Sequence, residues 1–317
     1  MNRLAIVIGA IVLLGVSATA ALAQRRAVPI TATAVSQRMC TMESLAGDYV
    51  FQSKGSSTIA MGPAQNVPNH LMAAYAPVAV VGRMTIGVDG AVDGIYWGTM
   101  GTSSSDVDPT AWHGDITDFA DCRGIITYTI PILGSGGAVG QVTERFFVVD
   151  GGQELRTAMI GFINVATSAS LPPVWNTVAR RVNTARVNQQ ALRGAWVLTC
   201  DSLHAFATPP MPGVTHLAES AVISLDVAAN GQFTGLFETK IGPSPLQFPV
   251  TGTVAVAEGA TLTGEMQTPA MPGKTIIVRG VLFGEGKEFL AIPIGTWDGT
   301  TLTPNGYDNC RGIRAGR

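Results

Sequence analysis

Short periodic runs of apolar and polar residues recur along this chain, separated by glycine-rich turns. A period of two is the mark of half-buried β-strands, and Val, Thr and Ile, which fit a pleated surface, dominate the runs. In the first half the runs cover 47–54, 76–88, 91–100, 124–133, 142–149, 154–162 and 174–182, with a weaker one at 112–117. In the second half they cover 193–200, 221–229, 232–240, 248–256, 260–267, 275–283 and 287–294. Asp89-Gly90, Asp150-Gly151-Gly152 and Asn230-Gly231 fall between neighbouring runs, where such residues supply the positive φ of two-residue hairpin turns.

The two halves repeat each other. Leu45-Ala46-Gly47-Asp48-Tyr49-Val50 returns as Leu192-Arg193-Gly194-Ala195-Trp196-Val197, and Asp89-Gly90 returns as Asn230-Gly231. Val149-Asp150-Gly151-Gly152-Gln153-Glu154-Leu155 returns as Phe283-Gly284-Glu285-Gly286-Lys287-Glu288-Phe289. The offsets shrink along the chain, as longer loops in the first copy require. Consecutive hairpins predict an all-β protein: two tandem antiparallel meander β-barrels, or sandwiches. Barrel closure also removes exposed sheet edges. The first domain is expected over 39–185 and the second over 186–317, each with its own core and few contacts to the other.

Ahead of the repeat, Met1-Asn2-Arg3 opens with positive charge, residues 4–16 are apolar, and Ala21-Leu22-Ala23 precedes Gln24. That order predicts a cleaved secretory signal peptide over 1–23, followed by a flexible leader over 24–38. Charged residues make up 13% of the chain, about half the usual ~25%, so solubility rests on few groups. Loss of Arg3 leaves 19 basic against 22 acidic residues, a net charge of −3. Nucleic acid, which wants a basic face, is not an expected partner, and no span is expected after cleavage.

The first copy resembles a group of secreted bacterial β-domains of poorly defined function. The resemblance rests on Cys40, then Leu45, Gly47, Tyr49 and Phe51, then Pro77, Ala79 and Gly82. It continues through Asp89-Gly90, Asp121-Cys122-Arg123-Gly124, Gly152 with Glu154, and Val178-Ala179-Arg180-Arg181. It implies a small lipocalin-like or calycin-like barrel and brings no catalytic residues. The second copy keeps the Leu-x-Gly-x-aromatic opening and the hairpins, as a divergent repeat.

Four cysteines in an exported chain suggest two disulfides. The second copy has Val187 and Ala257 at the positions of Cys40 and Cys122, a joint loss that predicts Cys40–Cys122. Cys200–Cys310 follows as the second bridge.

No Gly-x-Ser-x-Gly elbow, His-Glu-x-x-His helix or phosphate loop occurs, so no catalytic residue and no cofactor is assigned. Met61, His70, Met72, Met211 and His216, with His204, are soft enough to ligate copper, but they read better as ordinary residues of Pro-rich loops. Asp106, Asp108, Asp115, Asp118 and Asp121 beside His113 could hold calcium, yet a solvated loop fits their spacing better. Arg123 and Arg311 share a Cys-Arg-Gly-Ile setting that could clamp an anion, although exposed residues beside a disulfide explain it better. Tyr49, Phe51, Ile86, Ile95, Trp97, Ile126, Tyr128, Phe147 and Ile160 are the expected lining of the first barrel. The function expected is an exported, noncatalytic module that binds a small apolar ligand or another envelope component. The alternatives are a structural envelope protein with filled barrels, or a motif-poor barrel enzyme such as a cyclase or isomerase.

Overall fold

The computed structural model describes residues 40–59, 74–100, 103–132, 137–169, 173–184, 187–205, 216–241, 244–303 and 307–315. These belong to one compact unit, Met39–Arg317. The leader segments and residue 185, where the domain junction is expected, lie outside the described residues.

A one-turn helix, α1 (Met42–Leu45), leads into β1 (Gly47–Ile59), β2 (Ala74–Ile86), β3 (Ala91–Met100), the two-residue β4 (Ser103–Ser104) and β5 (Thr110–Ala120). The first copy continues with β6 (Arg123–Pro131), β7 (Val139–Val149), β8 (Glu154–Asn164) and β9 (Pro173–Arg181). The second runs through β10 (Gly194–Ala205), β11 (His216–Val227), β12 (Gln232–Ile241), β13 (Ser244–Ala257) and β14 (Thr261–Gln267). It ends with β15 (Thr275–Phe283), β16 (Glu288–Trp297), the short β17 (Leu302–Thr303) and β18 (Tyr307–Arg314). In each copy every long strand pairs antiparallel with the next, and the first strand pairs with the last, β1 with β9 and β10 with β18. Both sheets therefore close as eight-stranded antiparallel barrels, the lipocalin-like form.

The Asp89-Gly90 and Asn230-Gly231 hairpins depart from the two-residue turns expected. Gly87 N–H bonds the Ala91 carbonyl at 2.8 Å, and Ala228 N–H bonds that of Gln232 at 2.8 Å, so each loop holds three residues. Only the glycine takes a positive φ, 88° at Gly90 and 83° at Gly231. This is a type I turn closed by a left-handed glycine.

One end of each barrel is sealed by the Leu-x-Gly-x-aromatic motif. Gly47 and Gly194 hold φ of 148° and 121°, which turn the chain sharply into the first strand. Tyr49 is then buried, its hydroxyl donating to the Leu45 carbonyl at 2.8 Å, while the Arg181 guanidinium from β9 lies 5.4 Å over its ring. Arg181 also donates to the carbonyls of Ser44 and Ala46 at 2.8 and 2.6 Å, which ties α1 across the barrel end. Trp196, Leu192 and Arg314 repeat the device: Trp196 Nε1 donates to the Leu192 carbonyl at 2.7 Å and Arg314 lies 5.9 Å over the indole.

The barrels do not stand apart. Val50, Ala79, Val81 and Trp97, on the outer face of β1–β3, share one buried cluster with Ile277, Val281, Phe283, Leu290, Ile292 and Ile294 on the outer face of β15–β16. Trp97 Nε1 and Arg279 Nε both donate to the Val107 carbonyl, at 3.2 and 2.9 Å. Lys54 pairs with Asp201 at 3.4 Å, Gln52 bonds Asn309, and Arg180 reaches Glu288 at 3.7 Å. The expectation of few contacts between the halves is therefore corrected. Strands buried on both faces lose part of their polar alternation, so the apolar residues of β2, β3, β15 and β16 give no sign of which side faces the barrel interior.

Cys40–Cys122 and Cys200–Cys310 are the two disulfides, and no free cysteine remains among the described residues. Two such bridges mark maturation in an oxidising compartment. Among the described residues no helix is long and apolar enough to cross a membrane.

Candidate functional site

The second barrel encloses a cavity of about 410 Å³. Leu198, Ile223, Phe237, Met266, Val278 and Phe289 supply most of its wall, with the Cys200–Cys310 disulfide between β10 and β18. Trp196 lies at the sealed end, and Met271, on the β14–β15 connection, lies over the wall elsewhere. Glu265, its one ionisable lining residue, is exposed on its own strand. The first barrel, built on the same plan, holds a cavity of only about 60 Å³.

Strand register explains the difference. Trp112, which faces Gly94 on β3, corresponds to Val250, which faces Gly235 on β12. Ile126, opposite Glu144, corresponds to Gly264, opposite Val278. Phe146 and Thr157 pair across β7–β8 where Gly280 and Ala291 pair across β15–β16. Four interior side chains of the first barrel are thus smaller or absent in the second. A 410 Å³ apolar chamber falls within the ~300–1,000 Å³ range of small-molecule sites, whereas the smaller void does not.

The first barrel carries instead a buried carboxylate. Glu144 is 3% exposed and sits at a bulge in the β7–β8 ladder, the same place where Ile277/Val278 breaks the β15–β16 register. Tyr128 Oη donates to Glu144 Oε1 at 2.7 Å, Trp175 Nε1 donates to the same oxygen at 2.6 Å, and the Thr157 hydroxyl donates to Oε2. Thr177 lies 3.5 Å from Oε1 and shares a 2.7 Å hydrogen bond with Ser53. All these donors are neutral. Burial pushes the Tyr128 hydroxyl well above its ordinary value of 10.0, and the Glu144 charge adds to this. Burial also lifts Tyr96 to about 12, against a hydrogen bond with Thr110. With donors on both oxygens and little space beside it, the carboxylate links β6, β7, β8 and β9. Sequence reasoning passed over Glu144, although Gly140, Val142, Glu144 and Phe146 place it on the buried parity of its strand.

Tyr49, Phe51, Ile86, Ile126 and Tyr128 lie inside the first barrel, mostly in its buried core. Four of the proposed lining residues are corrected. Ile95 and Trp97 point outward into the barrel–barrel cluster, because Val92 and Tyr96 hold the inner parity of β3. Phe147 and Ile160 are each 51% exposed on the outer face of β7–β8, because Phe146 takes the interior and Ile160 sits on the bulge. Of the copper candidates, Met61, His70, Met72 and Met211 lie outside the described residues, and His216 is described only as the first residue of β11. Among the described residues no three His, Cys, Asp or Glu side chains gather at metal-holding distance. His113 pairs with Asp93 at 2.8 Å on the outer surface, and that hydrogen bond raises the imidazole above its ordinary value. Arg123, 3.8 Å from Asp121, and Arg311, bonded to Glu288, stand on different barrels and form no clamp.

Ser53 and Thr177 face each other across β1–β9 where Cys200 and Cys310 face each other across β10–β18. A hydrogen-bonded hydroxyl pair in one barrel thus stands in the place of the bridge in the other. No protein-family model matches the chain, and the search of curated proteins finds no match either.

Proposed function

We propose that the protein is an exported, noncatalytic binding module that holds one small apolar molecule in its second barrel. The observation that carries this reading is the 410 Å³ apolar cavity, with one sealed end and a single ionisable lining residue, Glu265, that is exposed on its own strand. The signal-like segment over 1–23, the two disulfides and the resemblance to secreted lipocalin-like domains support export. The first barrel, filled by Trp112, Ile126 and Phe146, serves as a rigid support that carries the second.

Gly264→Ile tests the proposal, because it copies the first barrel's Ile126 into the cavity. A Cβ built at Gly264 meets nothing closer than 3.5 Å, so the backbone there accepts a side chain. Native mass spectrometry of the mature wild-type protein should detect a retained small molecule, and an apolar fluorophore should bind once it is extracted. Gly264→Ile should lose both signals at unchanged or higher thermal stability. Equal fluorophore binding by wild type and variant would place the binding elsewhere and sink the assignment.

A further inference from the structure

The contact between the barrels is made by two faces that are not equivalent. The first barrel offers β1–β3 and the second offers β15–β16, which correspond in the repeat to β7–β8. Each barrel therefore retains the face that its neighbour uses. On β7–β8, Phe147 and Ile160, the counterparts of Val281 and Ile294, are each 51% exposed. On β10–β12, Val197 and Val222, the counterparts of Val50 and Val81, are 41% and 42% exposed. Large apolar side chains thus remain on both unused faces at several of the positions that bury each other inside the chain, while Arg156 and Thr143 stand in place of Leu290 and Ile277.

Charge points the same way. Arg279 and Trp97 lie side by side in the internal contact, since both donate to the Val107 carbonyl. Their counterparts are Arg145, exposed on β7, and Glu238, exposed on β12. Repeating the operation that carries the first barrel onto the second sets an arginine against a glutamate. Asp226, exposed on β11, adds a second acid to the receiving face.

We propose that a second copy of this chain docks the β7–β8 face of its first barrel onto the β10–β12 face of the preceding copy's second barrel. Copies then add head to tail, barrel upon barrel, each addition repeating the contact already present within one chain. Such a heterologous contact forms a ring if its rotation closes and an open filament if it does not. The internal contact has the advantage of a covalent tether, so the contact between copies forms only at higher concentration. Ser220 in place of Ala79 and Glu238 in place of Trp97 weaken it further, and salt weakens its ion pair.

Sedimentation velocity on the mature protein over a concentration series tests the proposal. The average mass should climb with concentration past the dimer, and less steeply in high salt. Phe147→Asp and Val222→Asp, both at exposed positions, should each be monomeric alone. A mixture of the two should form a one-to-one dimer and nothing longer, because each variant retains one intact face. Arg145→Glu and Glu238→Arg should each suppress assembly, and the two together in one chain should restore it. A monomer at every concentration, assembly untouched by Phe147→Asp and Val222→Asp, or a mixture that fails to dimerise would each overturn it.

Discussion

Glu144 and Val278 occupy the same bulge in the two barrels, and the choice between them decides what surrounds each. Around Glu144 stand donors, Tyr128, Trp175 and Thr157; around Val278 stand Gly264 and Met266. Glu144→Val should therefore destabilise the protein by about 3 kcal/mol, because it leaves several buried donors without an acceptor. Denaturant unfolding of the full chain measures this, and a change below the error of the fit would show that the donors find other acceptors. At this scale the sequence is only partly readable. Tyr128 and Ile126 lie inside where alternation puts them, since β6 is covered on one face only. Trp97 and Ile95 do not, since their strand is covered on both.

At the scale of elements, the strands of the first copy lie close to where the pattern puts them, and the weak run at 112–117 is a full strand, β5 (Thr110–Ala120). The eighth strand of the second barrel was not legible. Tyr307–Arg314 carries Asp308, Asn309, Arg311 and Arg314 among few apolar residues, so it reads as a polar tail. It becomes a strand because β10 and β16 flank it on both sides and Cys310 ties it to Cys200. The double variant Cys200→Ser, Cys310→Thr copies the Ser53–Thr177 pair of the first barrel. It should fold as the same barrel but lose about 4–5 kcal/mol, the chain-entropy effect of a bridge that spans 110 residues. Urea unfolding under non-reducing conditions would check this. A variant that fails to fold at all would show that the bridge positions β18 rather than only restraining the unfolded chain.

At the scale of the whole molecule, the repeat could be read from the sequence, but the contact between its copies could not. Val50, Val81 and Trp97 show only that they are apolar; nothing local says that a second barrel covers them. Because that contact buries apolar surface from both copies, fragments 39–185 and 186–317 should each be folded yet prone to self-association. They should bind one another when mixed in solution. Val281→Asp, placed in the middle of the contact, should abolish binding between the fragments while leaving the fold of 186–317 intact by circular dichroism. Isothermal titration of one fragment into the other reads the outcome, and the absence of heat with wild-type fragments would mean that the tether alone holds the barrels together.

Cys200 and Cys310 line the cavity, and both residues are almost fully buried. On the binding role proposed above, a small thiol that attacks this bridge would share the chamber with the ligand. Guest and reductant would then compete for the same space, and a retained guest should lengthen the half-life of the bridge in a thiol buffer.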